Sequence, residues 1–551
     1  MFNITSLEFL YLGGNDLHGF FPNSITKLTS LRALDLSRSV FQDGFMRLAP
    51  ISNLCKLQIL NLRYVPINDV LANLKMVFSG CLRNSMEELY LGGTQLSGSF
   101  PDWLGNIRNL KSLDLSFNSL YGSVPASIGN LSLLQHLSLY SNDLNGTISE
   151  GIGQLKSLVD LVLHNNSLSL SEDDLANLSS LKYLDISYNF IELNKADDWI
   201  PSFQLQSLFM DFCQIGPTPQ FPKWLRTQTT LRQLYLSSAG IKETIPNWLP
   251  SGLQNLDLSD NMIGMIGGDV PYYFPNLTLL DLSNNSLSGY FPLKLSNMMP
   301  SLEYLYLFIS NNSFSGNLSQ RITNIMPSLQ WFDISMNNMS GEIPFSYFPD
   351  SLCNLQTLES LHLSHNNLSG LIPHCLKSCA ELSTLDLGHN NFIGNIPTWI
   401  GESLLYLKTL SLRSNAFTGS IPQLSSLPSL RILDLSNNNL SGMIPQSFGD
   451  FSTLKSAPTY QCCYFNNDSL SVEDMWLFIK GSEIKYTTSR QLSIDTLIDL
   501  SNNYLSGNIP EELEEFAWIA EPKSIRKLPY RSDTEKHWRN ETTRSSRSLK
   551  K

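Results

Sequence analysis

Leucines return along this chain at fixed offsets around an Asn. From Leu110 it reads LKSLDLSFNSLYGSVP and from Leu430 LRILDLSNNNLSGMIP, both fitting L-x-x-L-x-L-x-x-N-x-L-x-G-x-I-P. The Asn recurs at Asn118, Asn142, Asn166 and Asn189, at Asn261 and Asn285, and at Asn390, Asn415 and Asn438, mostly 23 to 25 residues apart. Period-2 alternation at Leu433 and Leu435 predicts a short strand with both leucines turned inward. Asp434 between them is then expected to face solvent, as are Asp35, Asp114, Asp185, Asp257, Asp281, Asp333 and Asp386 at the same place in other repeats. The chain must turn sharply after the strand. The Asn amide, with donors and an acceptor, can satisfy the backbone groups that the turn would leave bare. Gly442 allows a backbone angle that other residues resist, and Pro445 fixes an extended stretch without an N–H. One such coil cannot bury its leucines alone, so coils must stack at about the 4.8 Å inter-strand spacing and share a core. Eighteen coils are countable from Asn15 to Asn438, with Ser39, Val65, Thr94, Cys213 and Ala239 standing in for the Asn, and a nineteenth follows at Asn503.

A repeat of this length and spacing is the leucine-rich-repeat signature, and the fold class expected is an α/β repeat solenoid. The G-x-I-P element, in NNLSGLIP at Asn366 and NNFIGNIP at Asn390, resembles the plant-specific subclass of these repeats. That resemblance covers most of the chain and implies a curved, twisted superhelix with a concave parallel sheet and a second short strand. Between Asn438 and Asn503 the step is 65 residues. The expected organisation is a repeat array over 1–453 without an N-terminal cap, an insert over 454–493, a resumed repeat over 494–516 and a basic tail over 517–551. Lys480, Gly481, Glu483 and Tyr486 in the insert match a K-G-x-E-x-x-Y stretch. They resemble the island region of plant receptor-like proteins, the fungal-xylanase receptor class among them. The resemblance implies ligand perception at the plasma membrane or outside the cell, in defence or development, with signalling through a co-receptor kinase. Two further readings share the repeat type: a secreted inhibitor of microbial wall-degrading enzymes, and the ectodomain of a receptor kinase. Members of the class begin with a signal peptide and a Cys-paired cap and run several repeats beyond the island. Here one repeat follows the insert, and the chain resembles an incomplete piece of such a receptor.

Charge and composition narrow the partners. Charged residues make up 16% of the 551, against about 25% in ordinary soluble domains, so the surface is polar rather than ionic. The formal net charge is −12, which argues against nucleic acid because phosphate binding needs clustered Lys and Arg. Residues 521–551 alone carry ten Lys or Arg against four Asp or Glu, leaving −18 on the remainder. This basic, Ser/Thr-rich end is expected to be disordered. No run of 18 apolar residues exists to span a bilayer, and the start MFNITSLEFLYLGGNDL does not read as a secretory signal.

Eight cysteines are too few for a disulfide scaffold and match no zinc spacing. Cys213 reads as a buried thiol. Cys353 with Cys379, with Cys375 as the competing partner, and Cys55 with Cys81 are the candidate bridges, since geometry rather than spacing decides. Fourteen N-x-S/T sequons occur, among them Asn130, Asn145, Asn177, Asn276, Asn317 and Asn467, and they suggest a glycosylated surface. No phosphate loop, H-E-x-x-H or G-x-S-x-G is present. Neither an enzyme nor a cofactor is expected, and Asp333 and His362, an acid and a base in neighbouring coils, are not expected to act as a catalytic pair.

Recognition should fall on the outward strand positions, where the side chains vary. Tyr90, His136, Tyr140, His164 and Tyr183 form one run of rings there, and Phe209, Tyr235, Tyr304, Tyr306, Phe308 and Trp331 another. Exposed aromatics supply binding energy at interfaces and stack on peptides or sugars, so the expected ligand is a peptide, protein or glycan. The coil at Asn312 carries two extra residues in LYLFISNNSF, where a bulge would re-aim side chains.

Overall fold

The computed structural model describes residues 4–15, 17, 21–39, 47–148, 151–192, 199–213, 220–264, 274–290, 305–318, 329–343, 355–424, 426–451, 475–479, 482–486 and 497–511. They fall into two compact units, residues 1–339 with 346–355 and residues 340–345 with 356–551. Both are built from the same coil. In the first, strands from Phe9–Tyr11 to Leu329–Asp333 form one long sheet in which each pairs parallel with the next. In the second, Ser360–His362, Thr384–Asp386, Thr409–Ser411, Ile432–Asp434 and Leu497–Asp499 pair likewise. Purely parallel pairing follows from the repeat, because every strand is reached by the same right-of-way around one coil. A second short strand after the turn, such as Ser119–Gly122 beside Asp143–Thr147 or Asn391–Asn395 beside Ala416–Gly419, pairs parallel in smaller sheets. The return path is a short 3-10 turn behind a proline, as at Pro101 before Asp102–Asn106 and Pro125 before Ala126–Asn130.

Burial follows the repeat. Leu110, Leu113, Leu115 and Leu120 of one coil are all sealed from solvent, as are Leu430, Leu433, Leu435 and Leu440 of another. The rings of Phe392 and Phe417 stack between successive coils at 6.3 Å. Gly105 lets two turns touch: a Cβ there would lie 2.1 Å from the Ser127 carbonyl oxygen.

The Asn ladder has one geometry throughout. The Asn390 Nδ2 donates to the carbonyls of Leu363 (2.9 Å), Leu387 (3.2 Å) and Gly388 (3.0 Å), while its Oδ1 accepts from the Leu368 N–H at 3.0 Å. One side chain thus serves its own turn and the coil before it. Where Asn is replaced, Thr94 Oγ1 donates to the Leu91 carbonyl at 2.7 Å, and the buried Cys213 Sγ reaches the Ile186 carbonyl at 3.3 Å. Burial pushes the Cys213 thiol up to about 12, so it stays protonated and inert. Each non-glycine residue before a ladder position, from Arg38 and Tyr64 through Phe117, Tyr188 and Phe212 to Asn502, has a φ between 50° and 60°. A left-handed angle costs a non-glycine residue roughly 1–2 kcal/mol, and the ladder bonds hold it in place.

The aspartates between the strand leucines depart from expectation. They point away from the leucine core, yet most are not solvated: Asp434 is 1% exposed and Asp386 4%, and Asp114, Asp185 and Asp333 are buried too, while Asp35, Asp257 and Asp281 are only partly covered. Neighbouring coils wall them in, and each is used by its own turn. The Asp434 Oδ1 accepts from the Ser436 N–H at 3.0 Å and from its hydroxyl, and Asp114, Asp257 and Asp281 bind Ser116, Ser259 and Ser283 in the same way. The D-L-S spelling of the repeat is therefore a turn device.

A disulfide joins Cys55 to Cys81 across two coils. The pairing of Cys353 with Cys379 is not formed: Cys379 is a free, buried thiol, while Cys375 is disulfide-bonded. Cys379 caps a 3-10 turn facing inward, whereas Cys375 lies within that turn, His374–Ser378. Of the insert, Met475–Ile479 and Ser482–Tyr486 form an antiparallel hairpin. Leu497–Asp499 pairs directly with Ile432–Asp434, and Asn503 Nδ2 donates to the Leu435 carbonyl at 2.9 Å, so the ladder passes over the insert without a break. Among the described residues no helix is long and apolar enough to cross a membrane.

Candidate ligand-binding face

In each coil the outward face of the long sheet carries a side chain between the two strand leucines, here called the middle column, and another two residues later. The middle column of the first unit includes Tyr90, Asp114, Asp185, Phe209, Tyr235, Asp257, Asp281, Phe308 and Asp333. Parallel register sets neighbours abreast: Tyr90 with Asp114, Asp185 with Phe209, Phe209 with Tyr235, Tyr235 with Asp257, Asp257 with Asp281, and Phe308 with Asp333.

The first run of rings divides. The Arg63 guanidinium lies 4.2 Å over the Tyr90 ring, and its Nε pairs with Asp114 at 2.5 Å. Tyr140 stacks on His164 at 4.3 Å and meets Phe117 edge-on at 4.9 Å. His136 joins no ring; its Nδ1 pairs with Asp160 at 2.6 Å, as His164 Nδ1 does with Asp185 at 2.7 Å. Tyr183 meets Phe209 at 5.3 Å, which ties this run to the next. In the second run Phe209 stacks on Tyr235 at 4.7 Å, and Trp331 packs edge-on to Tyr306 and Phe308 at 5.6 and 6.2 Å. Trp331 is not an open platform: it is 8% exposed, and its Nε1 is buried without a hydrogen-bond partner. The register does shift at this coil, with Leu305 opposite Leu329 but Tyr306 opposite Trp331. Tyr304, Lys480, Gly481, Asn467 and Cys353 lie outside the described residues, while Glu483 and Tyr486 stand on the second strand of the insert hairpin.

Several face residues escaped the sequence reading. Tyr64, Phe117, Tyr188 and Phe212 are 40–51% exposed, at the left-handed position that throws the side chain outward. Tyr188 and Phe212 stack at 4.4 Å. Aligning the coils on the ladder Asn and reading the column before it would have found them. The same alignment shows Arg63, Asp211 and Arg413 at equivalent positions.

The electrostatics of the face are uneven. Asp114 pairs with Arg63, and both Asp434 and Asp499 face Arg413 Nη1, at 3.4 and 3.7 Å. Among the described residues no Lys, Arg or His pairs with Asp211, Asp257, Asp281 or Asp333. Burial, then the charge of Asp257, pushes Asp211 up to about 7. Burial raises Asp257 and Asp281 as well, Asp281 further through the charge of Asp257. A carboxyl raised on folding binds a proton in the folded state that the unfolded chain has already lost. Stability should therefore fall as pH rises from about 4 through 7. Thermal melts at pH 5 and pH 8 are expected to show the higher midpoint at pH 5, and Asp211→Asn to reduce the difference; an equal slope in the variant would refute the assignment.

No group of three His, Cys, Asp or Glu among the described residues could hold a metal ion. The model of a leucine-rich repeat region matches residues 15–342 and 251–502, and that of a single leucine-rich repeat matches 496–516. This chain belongs to the leucine-rich repeat family. Within that family it is similar to plant receptor-like proteins. Receptor-like protein EIX2 of Solanum lycopersicum is 34% identical over 392 residues, covering 65% of this chain and 37% of the relative. Receptor-like protein 35 of Arabidopsis thaliana is 29% identical over 381 residues, covering 62% and 36%. The chain thus spans little more than a third of the length of these relatives. Among solved leucine-rich repeat structures, a TDR receptor superposes with a TM-score of 0.61 at 26% identity, covering 94% of this chain and 80% of that one. The Arabidopsis receptor kinase HAESA, in complex with the peptide hormone IDA and the co-receptor SERK1, gives 0.61 at 26% identity, covering 94% and 78%.

Proposed function

We propose that this chain is the ligand-recognising part of a plant cell-surface receptor-like protein, and that it binds an extracellular peptide or protein segment on the outward face of the long sheet. Signalling would pass to a partner kinase. One observation carries the reading: aromatic side chains take outward strand positions, several of which the repeat elsewhere fills with Asp or Ser, and they gather into contiguous groups, Tyr140 with His164 and Tyr183 with Phe209 and Tyr235. Rings that pack no core and lie on a rigid parallel sheet lose little entropy when a partner covers them. The relatives, named as receptor-like proteins, and the HAESA complex with its peptide and co-receptor, support the same assignment. Asn130, Asn145, Asn177, Asn276 and Asn317 are exposed and lie off the long sheet, and we propose them as glycan sites, as we propose Lys480, Gly481, Glu483 and Tyr486 of the insert for partner contact.

The test is selection of a random-sequence peptide library on the secreted, glycosylated chain. Enriched peptides should bind the wild type and lose at least tenfold in affinity to a Phe209→Ala, Tyr235→Ala double variant. If no sequence is enriched, or if every enriched peptide binds the double variant unchanged, the reading fails.

A further inference from the structure

Once in each unit the protein supplies its own guanidinium to the acids of the outward strand positions. Arg63 extends over the ring of Tyr90 in the next coil and reaches Asp114 in the coil after that. Arg413 lies against Asp434 and Asp499 in the same manner, one and two coils on. In the first case the succession is an arginine two residues beyond the middle column, then a ring and an acid abreast in the following coils; in the second both following coils carry an acid.

That ring and acid recur at Tyr235 and Asp257, abreast in register just as Tyr90 and Asp114 are. The position that corresponds to Arg63 is here Asp211, so the arrangement holds a second carboxylate where the guanidinium's own residue stood. Phe209 stacks on Tyr235 at 4.7 Å and lengthens the aromatic wall, and Asp281 stands abreast of Asp257 on its other side. Among the described residues the Asp211 carboxylate accepts the Ser237 N–H, at 2.8 Å, and Asp257 the N–H and hydroxyl of Ser259. All three acids keep part of their surface open, as do Phe209 and Tyr235. In the coil after Asp281 and the one beyond it, Phe308 and Asp333 repeat the ring-and-acid step, beside the buried indole N–H of Trp331, which has no acceptor among the described residues.

We infer that Phe209, Tyr235, Asp211 and Asp257 form a recognition site for an arginine side chain of the ligand, laid on the aromatic wall with its guanidinium between the two carboxylates. This rests on the proposed binding role and deepens it by naming the chemistry of the ligand. A planar guanidinium suits the place better than an ammonium: it stacks on a ring and offers paired N–H donors to a carboxylate, whereas a lysine is a compact, strongly hydrated point charge. A cation also relieves the mutual repulsion of acids that have no cationic partner among the described residues.

The test uses the full chain and three capped tripeptides: tri-arginine, its neutral isostere tri-citrulline, and tri-lysine. Tri-arginine should bind at least tenfold more tightly than either of the others. Asp257→Asn should weaken it at least tenfold. Asp211→Arg, which rebuilds the Arg63 arrangement, should abolish binding while leaving the melting temperature unchanged or higher, so loss of the site is separable from loss of fold. Equal binding of tri-arginine and tri-lysine would reduce the effect to the chain's net charge and overturn the inference, as would unchanged tri-arginine binding to both variants. Library selection separates the two claims. Enrichment of peptides without arginine on the wild type sinks this site while the binding face stands, and no enrichment sinks both.

Discussion

Asn390→Ala is expected to destabilise its unit by about 3–5 kcal/mol, because it strands several buried polar groups at once. The Leu368 N–H loses its acceptor, and the carbonyls of Leu363, Leu387 and Gly388 lose a shared donor. Water cannot take over, since Asn390 is itself buried between coils. Its neighbour Asn391 is exposed and bonds only to the Asn367 side chain, so Asn391→Ala should stay within about 0.5 kcal/mol of wild type. Urea unfolding, with hydrogen exchange read at Leu368 and its neighbours, checks both. A loss below about 1 kcal/mol at Asn390 would mean that the ladder is ornamental and the leucines alone hold the stack.

Phe417→Ala should cost a similar amount, about 3–5 kcal/mol, for a different reason. The ring is wholly buried and lies parallel to Phe392 of the preceding coil. Removing it empties a layer that two coils share, and the strands cannot close the gap, since their spacing is set by the hydrogen bonds of Ala416–Gly419 to both neighbours. Phe417→Leu, which keeps most of the volume, should lose less than half as much. Equal losses for the two variants would show that the cost lies in the aromatic contact rather than in the cavity.

The solenoid was legible because its cause is local and repeated. Leu433, Leu435, Asn438, Gly442 and Pro445 each meet one backbone requirement, and the same requirement returns in every coil. What a single coil does not encode was harder to read. Solvent is the expected place for the aspartates because alternation turns them away from the leucines; that most of them are buried depends on how closely the adjacent coils stand, which no one repeat states. Trp331 was placed on the correct face, but its neighbours Tyr306 and Phe308 cover it. The pairs His136 with Asp160 and Arg63 with Asp114 join residues 24 and 51 apart. They become visible only when coils are set side by side. Left-handed Phe117 and Tyr188 escaped because the residue before the ladder has no fixed identity; only its backbone angle is constant.

The seam between Ile432–Asp434 and Leu497–Asp499 gives the insert an unusual freedom. Both shores of the detour are fastened to each other, so its length enters the energetics of the sheet only weakly, through the entropy of closing the loop. A lineage could lengthen, shorten or exchange that passage without loosening a single rung on either side, and a nick within it would leave two pieces that still travel as one.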